Sequence, residues 1–211
     1  FKVMTAAMAY EENLVRENEH FNCPGYYVVN GRKIRCHKIQ GHGSLTFAGG
    51  IQQSCNPVLM QMGLRIGADK FYNYFRSFGY RQKTGIDLPG EVDASSLFWN
   101  RETFASADIY LATAAFGQNF KVTALQQITA IASVANGGYL VTPHVVDRIT
   151  DKNGNVLYEF DGGTRRQAIS KETCETVSRI LEEGVSGNGG AKNAYVAGYR
   201  VAAKTGTSEK K

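Results

Sequence analysis

The sequence predicts an α+β fold in which helices dominate. Two observations predict it. Apolar residues recur at helical spacing in several segments that carry capping residues, and short alternating pieces flank Asn30-Gly31 and Asp151–Gly154. No internal repeat or low-complexity segment appears. The 211 residues suffice for one sizeable core or two small ones, and 43% hydrophobic with 20% charged residues is ordinary for a globular protein.

Residues 1–16, Ala- and Met-rich and ending in acidic residues, read as a helix. Residues 21–47, punctuated by Gly25, Gly31, Gly41 and Gly43, read as a loop with one hairpin around Asn30-Gly31. Two short helices follow over 57–66 and 68–78. Phe71, Tyr74, Phe75 and Phe78 form a stripe on the second that reads as core, and Gly79 fits its C-terminal cap. Thr123 and Gln126 make a capping box for a helix through Leu125, Ile128, Ile131 and Val134 to the Gly137-Gly138 stop. Asp151-Lys-Asn-Gly154 is a hairpin turn signal. Ser170 caps a helix with Val177, Ile180 and Leu181 that Gly184 is expected to end. "SGNGGAKNA" reads as a flexible loop, and "YRVAAKTGTS" as a strand of small apolar residues before Lys204.

No apolar run approaches bilayer length and no signal-peptide pattern opens the sequence. Phe1 lies inside a helical pattern and the sequence stops just past an apolar strand, which points to a piece of a longer protein. The net charge of +5 (pI near 9.0) comes from scattered basic residues that form no patch, so no nucleic-acid partner is expected. Cys23, Cys36, Cys55 and Cys174 allow three complete disulfide pairings, too few cysteines for a disulfide scaffold. Zinc needs a tighter cysteine spacing than Cys23–Cys36, or a second cluster, so no metal is expected. No cofactor is implied.

The chemistry lies in short polar triplets. Ser54-Cys55-Asn56 sits between Gly49-Gly50 and a proline-started helix; Lys204-Thr205-Gly206-Thr207 sits on the expected terminal strand; Lys2 lies in the first turn or two of the opening helix. A serine acyl-transfer site needs a nucleophile, a base, a proton route to the leaving group and an oxyanion hole. S-x-N and K-T-G are two of the three motifs of serine β-lactamases and penicillin-binding proteins, and "FK" is what remains of S-x-x-K cut between its second and third residues. Lys83-Thr84-Gly85 repeats the K-T-G triplet, but before Ile86-Asp87-Leu88-Pro89-Gly90 it reads as a structural turn.

In order and spacing, together with "TGIDLPGE" (84–91), "AAFGQNFKVTALQQ" (114–127), "ANGGYLVTPHVV" (135–146) and "GRKIRCHK" before a Gly-His-Gly turn, the sequence resembles the transpeptidase domain of class B penicillin-binding proteins of the division and sporulation type. It departs from the family pattern at Asn119, where Gly is usual, and Ala124, where Pro is common. The resemblance implies a serine β-lactamase/transpeptidase-like α+β fold over 1–211, with the helical subdomain largely present and the antiparallel sheet incomplete. It implies peptidoglycan D,D-transpeptidase activity in a parent protein, on D-Ala-D-Ala stem peptides, with β-lactams as covalent ligands. The cell-wall synthesis machinery would be its partner and the outer face of the bacterial membrane its location.

Residue by residue, the same resemblance makes a serine two positions before Phe1 the nucleophile and Lys2 the base. Ser54 becomes the proton relay, and Asn56 a ligand of the substrate amide and of Lys2. Lys204 supplies positive potential, Thr205 and Thr207 hold the carboxylate, and Gly206 lets the substrate backbone approach. Without the serine the chain itself is expected to be inactive. On an oxidising face, Cys55 can pair with Cys36 as a redox-sensitive couple. A β-lactamase or D,D-carboxypeptidase of the same fold and a non-catalytic β-lactam sensor are the competing readings.

Overall fold

The computed structural model describes residues 1–16 and 18–206. A buried helix, α1 (Lys2–Glu11), is its axis, with Val3 through Ala9 all buried. A helix apolar on every side must be covered on every side. The small Ala and pliable Met side chains let α2 (Phe47–Gln52), α3 (Asn56–Ile66), α7 (Ala124–Ala135) and α8 (Lys171–Ser186) close around it. The helix ends earlier than the sequence suggests. Asn13 takes a left-handed φ of 53°, and the N–H groups of Asn13 and Leu14 turn back to the carbonyls of Tyr10 and Ala9. Asn is the non-glycine residue best suited to that C-terminal stop.

Helix α4 (Ala68–Ser77) carries the aromatic stripe, which is core as expected: Phe71, Phe75 and Phe78 are fully buried. Phe75 stacks on Phe98 at 3.8 Å, and Phe1 joins the cluster edge-on to Phe120 at 4.8 Å. Gly79, at φ 84°, stops α4. Two helices not foreseen, α5 (Arg101–Ala105) and α6 (Asp108–Ala115), follow. The α3–α6 contact is close because Gly63 has no Cβ, which would lie 2.5 Å from Ala115 Cβ. Asn119 takes φ 65°, the conformation for which glycine is usual there.

Among the described residues the strands form four separate two-stranded antiparallel sheets: β1 (His20–Cys23) with β4 (Gly43–Thr46), β2 (Tyr26–Val29) with β3 (Arg32–Arg35), β5 (Tyr139–Val141) with β8 (Thr164–Gln167), and β6 (Arg148–Thr150) with β7 (Val156–Glu159). The expected hairpins stand. Asn30 and Gly31 both have positive φ, as a two-residue primed turn requires, and Asp151 ties the turn before Asn155.

Four expectations are corrected. Residues 201–206 form no strand, since no segment among the described residues supplies them a ladder. Helix α8 runs past Gly184 to Ser186. That glycine is there for packing, since a Cβ on it would meet Gln52 Cγ at 3.2 Å. "SGNGGAKNA" is docked: Gly190 N–H donates to Gln52 O (3.0 Å), Gln53 Nε2 to Asn188 O (2.8 Å), and a 3-10 turn spans Lys192–Ala194. On α7 the capping box forms, but Ile128 is 60% exposed while Gln126, Thr129, Ala130 and Ser133 are buried. The polar groups are satisfied in place, with Gln126 Nε2 donating to the carbonyls of Tyr80 and Gln82 at 2.9 Å each.

Candidate active site

The site is assembled where α1, the α2–α3 corner and the terminal segment meet. Helix α2 begins at Thr46, whose Oγ1 accepts from Gly49 N, and ends in a Schellman turn: Ser54 N–H donates to Ile51 O (3.0 Å) and Cys55 N–H to Gly50 O (2.8 Å). The residue at the left-handed position of that turn is Ser54, with φ 56°. A β-carbon is strained there by about 1–2 kcal/mol, so the chain holds a hydroxyl where glycine would be easier. The corner is tight because Gly50 abuts Val58: a Cβ would fall 2.5 Å from Val58 Cγ1. Asn56 and Pro57 then open α3.

Lys2 reaches this corner from the first turn of α1. Its Nζ donates to Ser54 O (2.7 Å), Ser54 Oγ (2.9 Å) and Asn56 Oδ1 (2.7 Å), which uses all three ammonium donors. Asn56 Nδ2 donates to Arg35 O, fixing the amide the other way round. Lys204 Nζ donates to Ser54 Oγ as well (2.8 Å), and to Thr205 Oγ1 (3.1 Å). A hydroxyl has two lone pairs and one hydrogen. With both lone pairs facing lysine nitrogens, the Ser54 hydrogen is left to point at whatever occupies the site. Burial, and then the neighbouring Lys204 charge, lower Lys2 from 10.5 to about 8; burial lowers Lys204 to about 8 as well.

Of the residues singled out in the sequence, Lys2, Ser54, Asn56 and Lys204 are therefore brought together. Thr205 and Gly206 are exposed beside them, with open space where a Gly206 Cβ would stand. Thr207 lies outside the described residues. The other K-T-G is structural: Thr84 N, Thr84 Oγ1 and Gly85 N all donate to the Glu91 carboxylate, and Asp87 accepts from the N–H groups of Val145 and Val146. The Gly117 turn packs against Phe1, one residue from Lys2.

Cys36 and Cys55 are neighbours with free thiols, and both are buried. Their mutual hydrogen bond pushes Cys36 down and, with burial, pushes Cys55 up. Sequence reasoning missed their company. Cys23, Cys36, His42 and Cys55 place their donor atoms within 4.8 Å of one another. The expectation of no metal ligands rested on spacing along the chain. The β1–β4 ladder removes that ground, because it carries Cys23 to the residues before β4, where His42 sits.

A family model described as the penicillin binding protein transpeptidase domain matches residues 1–211. Stage V sporulation protein D of Bacillus subtilis is 38% identical over 215 residues, covering 100% of this chain and 32% of that protein. The D,D-transpeptidase domain of a peptidoglycan glycosyltransferase from Eggerthella lenta superposes with a TM-score of 0.89 at 30% identity, covering 100% of this chain and 53% of that one. Penicillin binding protein 3 of Mycobacterium tuberculosis complexed with aztreonam gives 0.77 at 25% identity, over 87% of this chain and 40% of that one. The chain spans about a third of the length of the curated relatives it matches.

Proposed function

Because this chain belongs to the penicillin-binding protein transpeptidase domain family, we propose that it supplies the Lys2, Ser54, Asn56 and Lys204 wall of a peptidoglycan D,D-transpeptidase site in its parent protein. The observation that carries this reading is the convergence of two lysine nitrogens on one serine hydroxyl, at 2.9 and 2.8 Å. A surface serine has no use for two half-buried cations; a proton relay between a base and a leaving group does.

In this reading the acylated residue is the serine that an S-x-x-K motif ending at Lys2 would carry in the parent protein. Its Oγ attacks the carbonyl of the penultimate D-Ala, its proton passes to Lys2 Nζ, and the carbonyl electron pair moves onto oxygen. At about 8, Lys2 is roughly one-tenth neutral at pH 7, several hundredfold more than an ordinary lysine. When the tetrahedral intermediate collapses, the terminal D-Ala amine takes its proton from Ser54, which Lys2 reprotonates. The amine of a second stem peptide reverses the same route. Lys204 and the Thr205 hydroxyl face the substrate carboxylate, and β-lactams acylate the same serine. The parent acts on the outer face of the bacterial membrane, within the cell-wall synthesis machinery.

Labelling the full-length parent with a fluorescent penicillin tests the reading. The label is expected on the serine two positions before Phe1 and is expected to vanish in Lys2→Met. A label carried by Ser54, or one indifferent to Lys2, overturns it.

A further inference from the structure

We propose that Arg76, Arg81, Arg165 and Arg166 form a binding site for a phosphate group at the C-terminal end of α4. The site shares no residue with the Lys2, Ser54 and Lys204 wall. A cavity of about 360 Å³ opens there, lined by Asn73, Arg76, Ser77, Arg81, Gln82 and Arg166. That volume is at the small end of the range of ligand pockets, and every lining side chain is polar. The arginines stand far apart in the sequence, two around the end of α4 and two on β8. The fold brings them together, because Arg166 covers the last carbonyls of α4. Its Nε donates to Ser77 O (3.2 Å) and its Nη2 to Arg76 O (2.5 Å).

Neutral groups hold three of the guanidinium groups in position. Arg165 Nη1 donates to Lys83 O (3.2 Å) and Thr84 O (3.3 Å), and Arg81 donates to Ser95 O (2.9 Å) and to the Tyr72 hydroxyl. The Gln82 amide oxygen accepts from Arg165 Nη2 and Arg166 Nη2 at 3.1 Å each, so those two nitrogens stand within about 6.2 Å of one another. None of these bonds supplies a negative charge. Among the described residues Arg65, Arg101, Arg179 and Arg200 each pair with a carboxylate, and none of the four arginines here does. Arg166 bonds to the end of α4 through Nε and Nη2, which leaves Nη1 to the cavity, and Arg76 takes part there only through its carbonyl. Burial, and then the Arg165 and Arg76 charges, hold Arg166 below the usual guanidinium range. A guanidinium keeps its proton all the same, so the repulsion persists until an anion relieves it.

Covering the end of α4 accounts for one cation and not for four. The geometry favours phosphate over carboxylate. One guanidinium fork fills a planar carboxylate, whereas a phosphate turns three oxygens and up to two negative charges toward cations on several sides. Inorganic phosphate, a phosphomonoester and an anionic phospholipid headgroup share this chemistry. The site stands independently of the transpeptidase reading, because its readout is binding.

Calorimetric titration of inorganic phosphate into the full-length parent protein at low salt tests the proposal, with acetate as the competing anion. About one phosphate per molecule is expected, held more tightly than acetate. Arg76→Gln should weaken phosphate binding roughly ten- to hundredfold, the loss of one charge-assisted hydrogen bond. Arg148→Gln, which alters an exposed arginine of β6 outside the cavity, should leave it unchanged. Should Arg76→Gln fail to fold, Arg166→Lys decides in its place, since it keeps the charge, loses the fork and should also weaken binding. Vesicles of phosphatidylcholine with and without phosphatidylglycerol identify the source. Binding to the anionic vesicles that inorganic phosphate displaces and Arg76→Gln abolishes makes it a lipid headgroup; phosphate binding without that competition makes it a soluble phosphate. Phosphate held no more tightly than acetate, or affinity that Arg76→Gln and Arg148→Gln alter equally or not at all, overturns the proposal.

Discussion

Replacing Lys204 with methionine removes one of the two cations on Ser54 Oγ while keeping an unbranched chain of similar length. Both nitrogens lie within 2.9 Å of that oxygen, so they are no more than about 5.7 Å apart. At an effective dielectric near 20, two unit charges at that distance repel by about 3 kcal/mol, about two pH units; in bulk water the figure is about half a unit. The half-buried site lies between those limits. Burial is also the larger cause of the fall of Lys2 from 10.5 to about 8, so repulsion is the smaller of the two lowering effects. The Cys36 and Cys55 sulfurs, which act in the opposite sense, are untouched by the substitution. Lys204→Met is therefore expected to raise Lys2 by about one unit, to about 9. An NMR titration of 13Cε-labelled lysine reads this directly, with the Lys2 signal assigned by its absence in Lys2→Met. A Lys2 titration that stays in place or moves down in Lys204→Met refutes the reasoning, because no shared hydroxyl would then couple the two lysines.

The left-handed Ser54 is expected to make Ser54→Gly about 1 kcal/mol more stable than Ser54→Ala in urea unfolding, since both lose the hydroxyl and only glycine relieves the backbone. Gly50→Ala should cost about 1–3 kcal/mol through the clash with Val58, and Val58→Ala in that background should recover part of it, a sign reversal measurable in the same assay. Thr123→Ala should cost about 1 kcal/mol by opening the capping box of α7. For pH, Lys2 and Lys204 titrate at about 8 in the folded chain against 10.5 unfolded. Below pH 8 both states hold the protons and the cost of burying them is fully present. Between about 8 and 10.5 the unfolded chain binds more protons, so stability should rise with pH there, and rise less in Lys2→Met.

The recognisable part of the site in the sequence was its polar triplets in order, because S-x-N and K-T-G keep their functional atoms within three consecutive residues. Turn chemistry was equally local, and the Asn30-Gly31 and Asp151–Gly154 hairpins and the Thr123 cap formed as read. What stayed hidden depended on distant partners. The Gly49-Gly50 pair disguised α2, where Gly50 serves close packing against Val58. The apolar spacing of α7 pointed to Ile128, yet the buried face is polar because Tyr80 and Gln82 present carbonyls to Gln126. The Cys23, Cys36, His42 and Cys55 cluster has no tight pair along the chain and exists only once β1 pairs with β4. The segment before Lys204 has strand-like residues but no ladder, since a strand is a property of two segments.

The central claim is that Lys2, Ser54 and Lys204 work as one unit on a serine supplied by the parent protein. A double-mutant cycle on the rate of acylation of that parent by a fluorescent penicillin tests it most directly, using Lys2→Met, Ser54→Ala and the pair. Each single change is expected to slow acylation by roughly 10²–10⁴-fold, and the double variant to be little slower than the worse single one. Additive losses in the double variant, or a single Lys2→Met variant that acylates at the unaltered rate, would contradict it.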